Sequence, residues 1–120
     1  MIERELLHCS DAEEWERWLS AHHGDSPGVR LVIPKKGRGG TGPGFDEALD
    51  VALCWGWIDS RSGQLDERHY TLTFSPRGPR SSWSARNRQH IERLTAAGRM
   101  AEPGLREVER AKADGRWAAG

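Results

Sequence analysis

The run His69-Tyr70-Thr71-Leu72-Thr73-Phe74 alternates without a break, setting Tyr70, Leu72 and Phe74 on one face and Thr71 and Thr73 on the other. A period of two is the signature of a strand with one buried face. A second strand-like run, Trp57-Ile58-Asp59-Ser60, precedes it, and Gly63 suits the connecting turn, so the two form the arms of an antiparallel pair. Helical patterns flank this pair on both sides. Together they point to an α+β fold: one domain over residues 1–120, with a small, mainly antiparallel sheet packed against about four helices.

Before the hairpin, Glu5–Cys9 reads as a short edge strand, and Ser10-Asp11-Ala12-Glu13 reads as a capping box opening a helix. Ala12, Trp15, Trp18, Leu19 and His22 give that helix its inner face, and Gly24 suits a left-handed C-terminal position. Aromatic residues dominate small cores, so Trp15 and Trp18 are assigned to the interior. Val29, Leu31, Val32 and Ile33 have strand composition, with Pro34 stopping the strand or keeping it near an edge. Lys35–Gly44 reads as a mobile glycine-rich connection. Phe45, Ala48, Leu49, Ala52 and Leu53 stripe a second helix that Gly56 terminates.

Beyond the hairpin, a Pro/Arg loop leads into a third helix near Trp83, with Ser82 or Ser84 as N-cap. This helix turns Ile91 and Leu94 inward and Arg86, Arg88 and Arg93 outward, and ends at Gly98. Pro103 suits the first turn of a fourth, where Leu105, Val108 and Ala111 form the buried stripe before Gly115. The chain therefore divides into a mixed part, 1–76, and a helical hairpin, 83–115.

Eighteen basic and eighteen acidic residues cancel, which removes the net positive field that drives nonspecific binding to nucleic acid or anionic membranes. No window approaches the roughly 20 apolar residues of a membrane span. Charges occupy the start, MIERELLHCSDAEEW, where a secretory signal needs an apolar run. With only Cys9 and Cys54, a disulfide framework is not expected, and the reading is a cytoplasmic protein without membrane insertion.

The residues suited to a site concentrate between Cys54 and Asn87. Trp57 and Trp83 offer stacking surfaces, and Arg77 and Arg80 precede a helix start whose free N–H groups favour an anion. Asp59 follows an apolar strand start, where it either sits at a pocket floor or hydrogen-bonds a turn. Both arginines can equally brace the loop by pairing with Asp59, Asp66 or Glu67. Ser84 and Asn87 lie at the third helix's first turn, and Lys36, in a glycine-rich stretch lacking a P-loop ending, completes the set. Cys54, in the last turn of its helix where the dipole disfavours a thiolate, reads as buried and inert. No zinc spacing and no Gly-x-Ser-x-Gly elbow is present, so no metal or cofactor is expected.

The segments FDEALDVALCWGWIDS, FSPRGPRSSWSARNRQHIERL and GLREVERAKADGRW, with WLSAHH and KKG, resemble the YdeI/OmpD-associated family, also labelled bacteriocin-protection proteins. The resemblance implies a bacterial protein connected with envelope stress or tolerance of antimicrobial compounds. It also implies that members continue into a further helical part. The family's recurring polar pattern falls on Lys36, Asp46, Glu47, Trp57, Asp59, Arg77, Ser82, Trp83, Ser84 and Asn87. The expected function is recognition of a small, anionic or aromatic molecule. The alternatives are a hydrolase or transferase using the same pocket, and a nucleic-acid or protein-interaction module using Arg77–Arg93.

Overall fold

The computed structural model describes residues 5–78 and 83–119. Strands β1 (Glu5–Leu7), β2 (Val29–Pro34), β3 (Trp57–Gln64) and β4 (His69–Pro76) form one sheet in the order β1-β2-β4-β3. Its helices are α1 (Ala12–His22), α2 (Phe45–Cys54), α3 (Ala85–Ala96), α4 (Glu102–Ala113) and the short α5 (Arg116–Ala119). The β1–β2 pair is parallel, joined through α1 as a crossover requires, and the other two pairs are antiparallel. This is the α+β domain expected, with β2 as an inner strand. Pro34 is its last residue, past the end of β1, so the ladder on that side has already stopped.

Register fixes the core. Val29 pairs with Phe74, Leu31 with Leu72 and Ile33 with Tyr70, and paired residues share a face, so these side chains line the inner side of the sheet. Trp15 and Leu19 of α1, with Ala48, Val51, Ala52 and Leu53 of α2, are buried in the same core. The Trp15 indole N–H donates to the Ala48 carbonyl at 3.1 Å, which satisfies its one donor in the interior. Helix α2 is buried nearly all round, since the sheet side, α3 and α4 all pack on it. Among the described residues, no helix is long and apolar enough to cross a membrane.

Several local expectations change. The α1 cap is Asp11, whose carboxylate accepts Glu14 N–H at 2.9 Å, while Glu14 Oε1 accepts Ser10 N–H at 2.9 Å. The cap therefore lies one residue later than the Ser10–Glu13 reading, and Glu14 takes its return bond from Ser10, the residue before the cap. His22 is exposed, and Gly24 is absent from the positive-φ glycines, since α1 closes on His23 in right-handed geometry. Gly63 lies inside β3, paired with Thr71, and the connection is 65–68, built on Asp66 Oδ1 accepting from Arg68 N and His69 N. A bulge between Asp59 and Ser62 gives β3 its extra residue. Leu105 is 41% exposed, its place on the buried face of α4 taken by Gly104. Helices α3 and α4 each pack on α2 and leave between them a groove lined by Ile91, Leu105, Val108 and Trp117.

The glycine-rich connection is tied to β4 and to the residue after β1 by hydrogen bonds. Thr41 N–H donates to His69 Nε2 at 3.1 Å, the Thr41 carbonyl lies 3.3 Å from His8 Nε2, and Lys35 N–H reaches the Arg68 carbonyl at 2.7 Å. A side chain at Gly40 would sit 2.7 Å from the His69 ring, so glycine lets the loop lie flat there.

Candidate functional site

The end of α2 and the end of β4 meet at one place. Gly56 takes φ +79° to end α2, and its carbonyl accepts Arg77 N–H at 3.0 Å. A side chain at Gly56 would meet the Pro103 carbonyl at 3.1 Å, so glycine also admits the close approach of α4. Around this junction His23, Trp55, Gly56, Trp57, Pro76, Arg77, Pro103 and Glu107 line a cleft of about 130 Å³.

Arg77 is the unusual group in it. It is 6% exposed, and its guanidinium carbon lies 3.6 Å from the centre of the Trp83 ring, a cation–π stack. Burial pulls its pKa down to about 10, Glu107 opposes that, Arg116 adds to it and Asp59 opposes it again. The group stays cationic at neutral pH. Glu107, on α4, has Oε2 3.4 Å from Arg110, while its Oε1 is buried with no hydrogen-bond partner among the described residues.

The sequence-derived residues divide accordingly. Trp57 and Arg77 line the cleft. Trp57 is 1% exposed, with Trp15 and Trp18 as ring neighbours and its N–H donating to the His23 carbonyl at 3.3 Å, so it forms floor more than stacking surface. Trp83 stands behind Arg77, buried against Trp117 at 5.1 Å between ring centres. Asp59 pairs with Phe74, which turns it to the inner face, and its charge acts on Arg77. Ser84 and Asn87 serve the helix start, where Ser84 Oγ accepts Asn87 N–H at 3.1 Å as the N-cap. Lys36 is exposed on the turn after β2 and is not among the cleft residues. Arg80 and the alternative cap Ser82 lie outside the described residues.

The arginines expected to face outward on α3 are partly engaged. Arg93 meets Asp50 of α2 at 2.7 Å, and Arg88 donates to the Trp117 carbonyl. Asp50 also faces His90 at 3.6 Å and Arg99 at 4.0 Å, so it ties α3 and the chain beyond it to α2.

Trp55, His23 and Glu107 were not singled out from sequence. Trp55 sits at the end of an apolar helix, is half-buried, donates to Glu16 at 3.0 Å and packs at a tilt against the His23 ring. Glu107 is placed inward by the packing of α4. Gly104, Val108 and Ala111 are the buried positions of α4, and residue 107 falls at the helical spacing between them, an acid on an inward stripe.

Two thiols and one histidine among the described residues are poorly placed for catalysis. Cys9 and Cys54 are free and buried, and each thiol is pushed up to about 11, by burial above all. Both nitrogens of His69 are occupied, Nδ1 by Asp66 at 3.0 Å and Nε2 by Thr41. The thiols make an alkaline prediction. The folded chain keeps these protons while the unfolded chain releases them near pH 9, so stability is intact below that and falls as pH rises toward about 11. The slope is up to about 1.4 kcal/mol per pH unit for each thiol. Urea titrations from pH 8 to 10 should show a flatter profile for a Cys9→Ala/Cys54→Ala variant, whatever its starting stability. Parallel profiles would remove the thiols from the account.

No group of His, Cys, Asp and Glu among the described residues is arranged to hold a metal ion. No curated protein and no solved structure matches the chain. The model of a domain of unknown function, DUF8412, matches residues 7–107, a span that includes every residue lining the cleft, and the chain belongs to that family.

Proposed function

We propose that the domain is a noncatalytic binding module that recognises a small molecule by presenting Arg77, from the cleft between the α2 end and α4, to an anionic or hydrogen-bond-accepting group. One observation carries this reading: a buried guanidinium, stacked on Trp83 and still charged, lines an opening in the surface. A planar fork held by stacking loses little freedom when it takes a carboxylate or phosphate oxygen pair. The volume of about 130 Å³ falls below the roughly 300–1,000 Å³ of drug-sized pockets, so it seats a head group and not a whole large ligand. Trp55 is the shared wall between this cleft and an open hollow beside Glu13, Glu16, Arg17 and Ser20 of α1, which gives the remainder of a ligand a surface to lie on.

The engaged histidine and protonated thiols favour binding over hydrolysis or group transfer. Burial of Arg77 and the pairing of Arg93 weaken the case for a phosphate-tracking face. The tolerance setting rests on the resemblance to the YdeI/OmpD-associated family, and a cytoplasmic location on the two free thiols.

The test is a titration of ¹⁵N-labelled protein with sodium acetate and with phosphate at constant ionic strength. Saturable shifts at the Trp55 and Trp57 indole N–H and the Gly56 amide, absent in Arg77→Met, are expected. A spectrum unmoved at those positions by either anion would overturn the reading.

A further inference from the structure

We propose that the ligand is dipolar: an oxyanion or carbonyl group meets Arg77, and an attached hydrogen-bond donor, an ammonium or hydroxyl, meets Glu107 Oε1. This rests on the cleft being the ligand site.

Two observations lead to it. Glu107 lines the same cleft as Arg77, and its Oε1 is a buried carboxylate oxygen with no hydrogen-bond partner among the described residues, while Arg110 stands near its other oxygen. A buried acceptor left without a donor carries a desolvation cost that a donor on the ligand relieves. The second observation is the charge balance around Arg77. Glu107 and Asp59 act on it with negative charge and Arg116 with positive charge, so Arg77 does not present its charge alone. A simple anion entering there meets the repulsion of Glu107 along with the attraction of Arg77. A molecule carrying both signs, or an acceptor beside a donor, meets two attractions. The cleft that Trp55 and Pro103 help to line holds about 130 Å³, which suits a compact head group of the α-amino-acid or α-hydroxy-acid type.

The experiment compares acetate, glycolate and glycine as probes on the whole chain, following the Trp55 indole N–H and Gly56 amide by NMR at neutral pH. Glycine should bind about tenfold more tightly than acetate, with glycolate between them, since its ammonium makes a charge-assisted bond that acetate cannot. In Glu107→Gln the preference of glycine over acetate should fall below about twofold, while acetate binding is retained or improves with the repulsion gone. Acetate binding as well as glycine to the native protein would overturn the dipolar ligand and leave the Arg77 site standing. An undiminished glycine preference in Glu107→Gln would overturn the role of Glu107. No cleft shift with any probe would remove the site itself.

Discussion

Gly104→Ala is expected to cost the domain more than about 3 kcal/mol, a large share of the roughly 5–15 kcal/mol that holds a domain of this kind together. An alanine Cβ at this position would lie 2.2 Å from the Cys54 carbonyl oxygen, 2.7 Å from its carbon and 2.8 Å from the Leu53 oxygen. These are main-chain atoms, so no rotamer change makes room, and α4 must move off the end of α2. Ordinary overpacking costs about 1–3 kcal/mol, and a clash with backbone belongs at or beyond the upper end of that range. The same displacement would stretch the 3.0 Å bond from Ala101 N–H to the Cys54 carbonyl. It would also open the cleft, whose walls Pro103 and Glu107 ride on α4. Gly24→Ala is the control: nothing lies within 4 Å of its Cβ and its φ is not positive, so a neutral result or a gain of about 0.4–1 kcal/mol is expected. Urea unfolding followed by far-UV circular dichroism measures both. A Gly104→Ala protein within about 1 kcal/mol of the native one would mean that α4 does not cross α2 so closely.

Gly104 marks the boundary of what could be read from the letters. Features with a local cause were legible: the alternation of β4, the α2 stripe, the left-handed stops at Gly56, Gly98 and Gly115, and the inert Cys54. The need for glycine at 104 arises from another helix some 50 residues earlier in the chain, and nothing within α4 announces it. The Leu105 expectation failed for the same reason. A stripe of Gly104, Val108 and Ala111 looks less apolar than one containing Leu105, yet close helix contact selects the small residue. Of the residues lining the cleft, Trp57 opens a recognisable strand and Arg77 begins the Pro/Arg loop before the third helix, so both could be named from the letters. The contacts that give Arg77 its character were hidden. Trp83 stacks on it from beyond the Pro/Arg loop, and Glu107 reaches it from α4, both contacts that only the tertiary fold creates.

The second large effect separates the structural duty of Arg77 from its proposed duty in binding. Arg77→Ala should destabilise by about 3–5 kcal/mol, because it removes a buried cation that offsets the charges of Glu107 and Asp59 and leaves a void beside Trp83. It also removes the stack on Trp83 and the packing of the arginine stem. Arg77→Met restores most of the volume, and its thioether can take up the aromatic contact, so it should recover at least about half of that loss while remaining unable to hold an oxyanion. Thermal and urea unfolding, set beside the acetate and glycine titrations, then distinguish two roles. A methionine variant that is folded, with native chemical shifts away from the cleft, yet gives no response to either probe assigns recognition to the guanidinium. If Arg77→Met binds both probes unchanged, the buried cation is a brace between β4 and α4, and its charge is kept for the sake of Glu107 and Asp59. Burial works against the charged form of Arg77 while Glu107 and Asp59 support it, and a pKa of about 10 keeps the guanidinium cationic at neutral pH, so both outcomes are read on the same charge state.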